Sequence, residues 1–89
     1  STIQNYDFDI IKLDMGFVQK IEKNEKTESI IHSIIDMAHH MNAAVIAEGA
    51  ETAEQVTFLV HNDCDYIQGF YFSRPLPVQE FVTLLEEKS

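Results

Sequence analysis

The sequence has no tryptophan, one cysteine, two prolines and three glycines, and no apolar run longer than five residues. With only Cys64, neither an intrachain disulfide framework nor a cysteine-based zinc site can form. The scarcity of glycine and proline excludes collagen-like and low-complexity chains, and 45% apolar against 24% charged residues argues against disorder. No stretch approaches the roughly 20 apolar residues of a membrane-spanning helix. Positive charge is also scarce. Six Lys and Arg face fifteen Asp and Glu, for a net charge of −9. Such a chain repels a polyanion, so extended DNA or RNA is excluded as a partner. A small phosphate ligand is not, because a metal ion reverses the local field. The opening Ser-Thr-Ile-Gln-Asn-Tyr-Asp shows no secretory leader and no initiator Met, so a cut is expected at the first residue. Cys64 is expected to be a buried thiol in a reducing cytoplasm.

What is present is alternation. Phe8 to Asp14 is short and β-branched-rich, and reads as a strand. From Thr27 to Asn42, Ile30, Ile31, Ile34, Ile35, Ala38 and Met41 fall on one helical stripe. Ala43 to Ala47 suits a buried strand. Thr52-Ala53-Glu54-Gln55 fits a capping box opening a helix to about His61 that buries Val56, Leu59 and Val60. Asp65 to Gly69 predicts a third strand. Pro77 suits the first turn of a last helix, with Phe81, Leu84 and Leu85 inward. The order β-α-β-α-β-α predicts an α/β fold of parallel strands, neighbours in sequence order, with helices on one side. At 89 residues this is at most one small domain, and three such units leave open sheet edges.

In α/β folds, functional groups gather beyond the C-terminal ends of parallel strands. Those ends here deliver Lys12 and Asp14, then Glu48 and Glu51, then Gln68. An ammonium, carboxylates and an amide converging on one rim would suit phosphate chemistry. A polar residue closing an apolar strand is also an ordinary loop transition. Glu48 precedes Gly49, which permits close approach of backbone or ligand. As a partly desolvated carboxylate it could act as a general base. Alternatively it caps the next helix or pairs with Lys12, whose other structural partner would be Asp14.

Three blocks carry a family resemblance. Phe8 to Asp14 followed by Phe17-Val18 has a Lys-x-Asp core. Ala47-Glu48-Gly49-Ala50-Glu51-Thr52 is similar to an Ala-Glu-Gly-Val-Glu-Thr signature, with Ala50 in place of Val. Cys64 to Pro77 matches a closing Cys-Asp-Tyr-Ile-Gln-Gly segment that runs into Ser-Arg-Pro-Leu-Pro. Together they resemble the C-terminal part of the EAL domain, the bacterial cyclic di-GMP phosphodiesterase family. The resemblance implies three consecutive βα units closing a TIM-like barrel, so that residues 1–89 are a partial EAL domain. It implies metal-dependent hydrolysis of cyclic di-GMP to the linear dinucleotide with two Mg²⁺ or Mn²⁺ ions. In that setting Lys12 would contact the attacking water. Glu48 would act as a base or as a metal ligand through water. Gln68 would line the rim, Glu51 would support the loop, and Asp14 would bind substrate or back up the site.

The departures bound the expectation. The Glu-Ala-Leu tripeptide, the Asn and Glu of the middle strands and an Asp-Asp pair are absent, and those supply most of the direct metal ligands. A whole barrel is about 250 residues. The chain alone is therefore expected to be inactive, and to self-associate or rely on the missing part of the barrel. The alternative function is an inactive EAL-like module that senses cyclic di-GMP or binds a partner. Met15-Gly16 replaces a more polar pair, and His61-Asn62-Asp63 replaces a loop that usually holds Gly. His32, His39 and His40 read as polar positions on an outer helix face. Arg74 is expected to meet a carboxylate, a helix end or a phosphate. Phe70, Tyr71 and Phe72 read as core or subunit contact.

Overall fold

The computed structural model describes residues 9–69 and 75–88, apart from the side chains of Leu85 and Lys88. The expectations for Phe8, Arg74 and the Phe70-Tyr71-Phe72 run, and for the Leu85 side chain, lie outside the described residues. The elements are β1 (Ile10–Leu13), α1 (Met15–Val18), α2 (Glu25–His40), β2 (Ala44–Ala50), α3 (Ala53–His61), β3 (Tyr66–Gly69), β4 (Leu76–Pro77) and α4 (Val78–Lys88). They form one four-stranded sheet in the order β1-β2-β3-β4.

β1 pairs parallel with β2, and β2 parallel with β3, as the alternation predicts. The register sets Leu13 beside Ala47 and Ala47 beside Ile67. Side chains alternate across a strand, so these residues share one face. That face is buried in a cluster with Ile31, Ile35 and Ala38 of α2, Val56 and Leu59 of α3, and Phe81 of α4. The opposite face carries Ile10, Ala44, Ile46 and Tyr66. With Pro75 and Pro77 they line an open concavity of about 710 Å³. Among the described residues no helix is long and apolar enough to cross a membrane.

Helix ends follow from local chemistry. Asn24 caps α2, accepting the Thr27 N–H at 3.0 Å. The Thr52 capping box of α3 forms in both directions. Both helices end in the same way. After α2, Asn42 takes φ 58, and the Ala43 and Asn42 amides turn back onto the Ala38 and His39 carbonyls. After α3, Asp63 takes φ 61, and the Cys64 and Asp63 amides bond the Leu59 and Val60 carbonyls. These are Schellman endings, in which a left-handed residue usually left to Gly satisfies the last carbonyls.

Four details differ from the sequence reading. α1 is a single turn that the hydrophobic pattern did not signal. β4 is a two-residue strand antiparallel to β3, pairing Tyr66 with Pro77 and Ile67 with Leu76. Pro77 therefore ends an edge strand, where a missing N–H is harmless, and α4 starts at Val78, whose N–H donates to the Asp65 carbonyl at 3.1 Å. The α2 stripe is also divided. Ile31, Ile35 and Ala38 are buried, whereas Ile30 and Met41 are exposed, because α2 is apolar over a wider arc than the sheet covers. Val60 is only half-buried, on the outer flank of the core.

Candidate functional site

Strand parity puts Lys12, Glu48 and Gln68 on one face of the sheet, the face away from the helices. Lys12 stands beside Ile46 and Glu48 beside Gln68. Glu48 is thus the diagonal neighbour of Lys12, two residues further along β2. Diagonal pairs lie within reach of long side chains, and the Lys12 ammonium comes within 3.8 Å of Glu48 Oε2. Both lie at the C-terminal ends of their strands. The pair is open to solvent, with 63% of the Lys12 side chain and 34% of the Glu48 side chain exposed. In such a setting an ion pair adds about 0–1 kcal/mol at most, so the rim is not held together by its charges.

Its geometry is held by the backbone beneath it. Between Glu48 and Ala50 the β2–β3 register slips. The slip is made by Gly49 at φ 82, a left-handed conformation that L side chains rarely adopt. The close approach expected at Gly49 is made by protein. A Cβ there would stand 2.6 Å from Met15 Cγ. The Gln19 side-chain amide donates to the Gly49 carbonyl at 2.6 Å. Gly69 shows the same economy at the end of β3, where a Cβ would meet the Phe81 ring at 2.6 Å and the Ala50 carbonyl at 2.7 Å.

Asp14 and Glu51 are not brought into the Lys12–Glu48 pair. Asp14 caps α1, its carboxylate accepting the Phe17 N–H at 3.1 Å. Glu51 lies in the β2–α3 turn, where its own N–H donates to Gln55 Oε1 at 2.7 Å and the neighbouring Thr52 N–H reaches the same oxygen at 3.2 Å. Gln55, 4% exposed, braces that turn. Gln19 and Met15 were not singled out in the sequence. Asp14 two residues before Gly16 and three before Phe17 was the available signal for a capped turn, but not for where that turn docks.

The fit of the described residues to a metal is poor. Among them no group of three or more His, Cys, Asp and Glu is placed to hold an ion. Glu48 is one carboxylate with an ammonium beside it. The three histidines of α2 each have a protein partner: His32 Nδ1 with Asn62 Oδ1 at 2.7 Å, His39 Nε2 with Asp65 Oδ2 at 2.8 Å, and His40 Nδ1 with the Asp36 carbonyl at 2.9 Å. Cys64 is buried, and its thiol donates toward the Val45 and Tyr66 carbonyls. Burial pushes its pKa up to about 11.

Comparisons with known proteins converge on one family. The model of the family described as "EAL domain" matches residues 1–75. The signaling protein YkoW of Bacillus subtilis is 38% identical over 88 residues, which cover 99% of this chain and 11% of that protein. The cyclic di-GMP phosphodiesterase NbdA of Pseudomonas aeruginosa is 41% identical over 70 residues, covering 79% of this chain and 9% of NbdA. Among solved structures, the EAL domain protein of Listeria monocytogenes superimposes with a TM-score of 0.69 at 40% identity, covering 88% of this chain and 32% of that one. The chain therefore spans about a tenth of the curated relatives and about a third of the solved domain.

Proposed function

This chain belongs to the EAL domain family, and from that premise we propose that it is the closing part of a barrel that hydrolyses cyclic di-GMP to the linear dinucleotide. The supporting observation is the approach of Lys12 and Glu48 to 3.8 Å at the C-terminal ends of adjacent parallel strands, with Gln68 in register beside Glu48. Barrel enzymes place their chemistry at that end. The named phosphodiesterase relative is the second support.

On this reading, the oxygen of a water forms a bond to phosphorus and one ester P–O bond breaks, leaving a phosphate monoester and a hydroxyl. Glu48 orients that water and takes its proton. Lys12 contacts the water and offsets the negative charge that builds on the phosphoryl oxygens. Gln68 lines the rim with its amide, and Glu51 and Asp14 act at one remove, through the β2–α3 turn and through α1. Two Mg²⁺ or Mn²⁺ ions belong to this proposal only for the complete domain. Their direct ligands would come from residues outside this chain, with Glu48 reaching an ion through water. A free, buried thiol at Cys64 suits a cytoplasmic location.

The test uses the complete domain that contains this segment, incubated with cyclic di-GMP and Mn²⁺. Hydrolysis to the linear dinucleotide is expected, and Glu48→Gln should reduce kcat at least about a hundredfold, the usual scale for a general base. Binding of cyclic di-GMP with no turnover in the unsubstituted domain would favour a sensor instead. Full turnover in Glu48→Gln would remove Glu48 from the site. The 89-residue chain alone should neither hydrolyse the nucleotide nor retain Mn²⁺ in equilibrium dialysis.

A further inference from the structure

We propose that Gln19 is a positioning residue for Glu48, acting through the Gly49 carbonyl; this rests on the rim assignment just made. The register slip after Glu48 turns the Gly49 peptide out of the β2–β3 ladder. A carbonyl taken out of a ladder needs another donor. The Gln19 amide supplies one at 2.6 Å. Met15 fills the space over the Gly49 α-carbon from the same side of the chain. The residue that follows Glu48 is therefore gripped at two points, by Met15 of α1 and by Gln19, the residue that caps its C-terminus. That turn is fixed by the Asp14 cap, and Asp14 lies two residues after Lys12.

A closed mechanical path results. It runs from Lys12 through Asp14 and α1 to Gly49, and back to Glu48. The exposed Lys12–Glu48 contact is too weak to set its own geometry, so the distance between ammonium and carboxylate is set by this backbone brace. A neutral amide suits the task. It donates to the carbonyl from a side chain long enough to reach Gly49 from the end of α1. A catalytic group displaced by about 1 Å can lose on the order of a hundredfold in rate, so loss of the brace is expected to appear in kcat.

The experiment compares Gln19→Met, which keeps length and removes the donor, with Gln19→Lys, which keeps a donor, in the complete domain. Gln19→Met should lower kcat by about tenfold to a hundredfold, with KM changed less than threefold and a cooperative melt retained. Gln19→Lys should recover part of the loss. In the unsubstituted domain, the Gln19 side-chain amide protons should resonate away from the free-glutamine position in ¹H–¹⁵N spectra. Free-glutamine shifts for those protons would overturn the proposal. So would unchanged kcat in Gln19→Met while Glu48→Gln is inactive, an outcome that leaves the rim assignment standing. A kcat loss accompanied by loss of the cooperative melt, with no recovery in Gln19→Lys, would make Gln19 merely structural and overturn it as well. Undiminished turnover in Glu48→Gln would sink the rim assignment and, with it, any role for a brace.

Discussion

The two ends of the sheet are built differently. At the base, where β2 and β3 begin, Asp65 ties three elements together. Its carboxylate accepts the Val45 N–H at 2.9 Å and meets His39 at 2.8 Å, and its carbonyl accepts the first amide of α4. At the rim, Lys12 and Glu48 share one long, exposed contact. The base ties three elements through one buried-strand acceptor, while the Lys12–Glu48 pair at the rim is long and open to solvent. That division is expected of a barrel, in which polar residues at the N-terminal face serve stability and those at the C-terminal face serve chemistry.

The sharpest way to break this comparison is at Asp65. Asp65→Ala leaves the Val45 N–H without its side-chain acceptor in a buried strand and strips His39 of its partner. A loss of about 2–3 kcal/mol in urea unfolding of the complete domain is expected, the scale of a buried donor left unsatisfied. A loss below about 0.5 kcal/mol would mean that the base is no stiffer than the rim.

Cys64, also at the base, gives a pH-dependent measure. Its folded pKa of about 11 lies above the ordinary 9.0. The folded state therefore holds the thiol proton more tightly, and its contribution is complete below pH 9. Stability should fall as the pH climbs from about 9 towards about 11, by roughly 2–3 kcal/mol at most. Urea midpoints for the unsubstituted domain and Cys64→Ala should converge over that window. Parallel pH profiles would contradict the burial of the thiol.

A smaller gain is expected at Asp63. The left-handed conformation costs a non-glycine residue about 1–2 kcal/mol, less for Asp than for most. Asp63→Gly should therefore raise stability by about 0.5–1 kcal/mol, read as a higher thermal midpoint. The smallest effect belongs to the rim. Glu48→Gln should change stability by less than about 0.5 kcal/mol even though it removes the ion pair. A large destabilisation there would make Glu48 a structural residue and erase the contrast between the two ends.

The same contrast marks what was legible in the sequence. The parallel strands, the Thr52 box and the strand-end placement of Lys12, Glu48 and Gln68 follow from periodicity and parity, which are local properties. The α1 turn does not. It is four residues long and contains Gly16, a poor helix former, and it persists because Asp14 caps it and Met15 packs on Gly49. β4 is too short and too proline-rich to read as a strand. Asp65 and His39 were legible as residue types but not as partners, because they are 26 positions apart. The exposed half of the α2 stripe misled for a simpler reason: periodicity shows that a helix is apolar, not how much of its circumference is covered.

The matching ends of α2 and α3 bear on how such a rim is supported. Each helix passes into its next strand through a left-handed residue, and the amide that follows is bonded back onto the last turn. Helix and strand are thereby welded at the base into one lever, with no slack joint between them. At the far end, where the ladder slips after Glu48, Gly49 has no such joint and is held instead by Gln19 and Met15. The two ends are thus fixed by different means, the base by backbone bonds within each helix–strand joint and the rim by side chains reaching across from α1 and its cap.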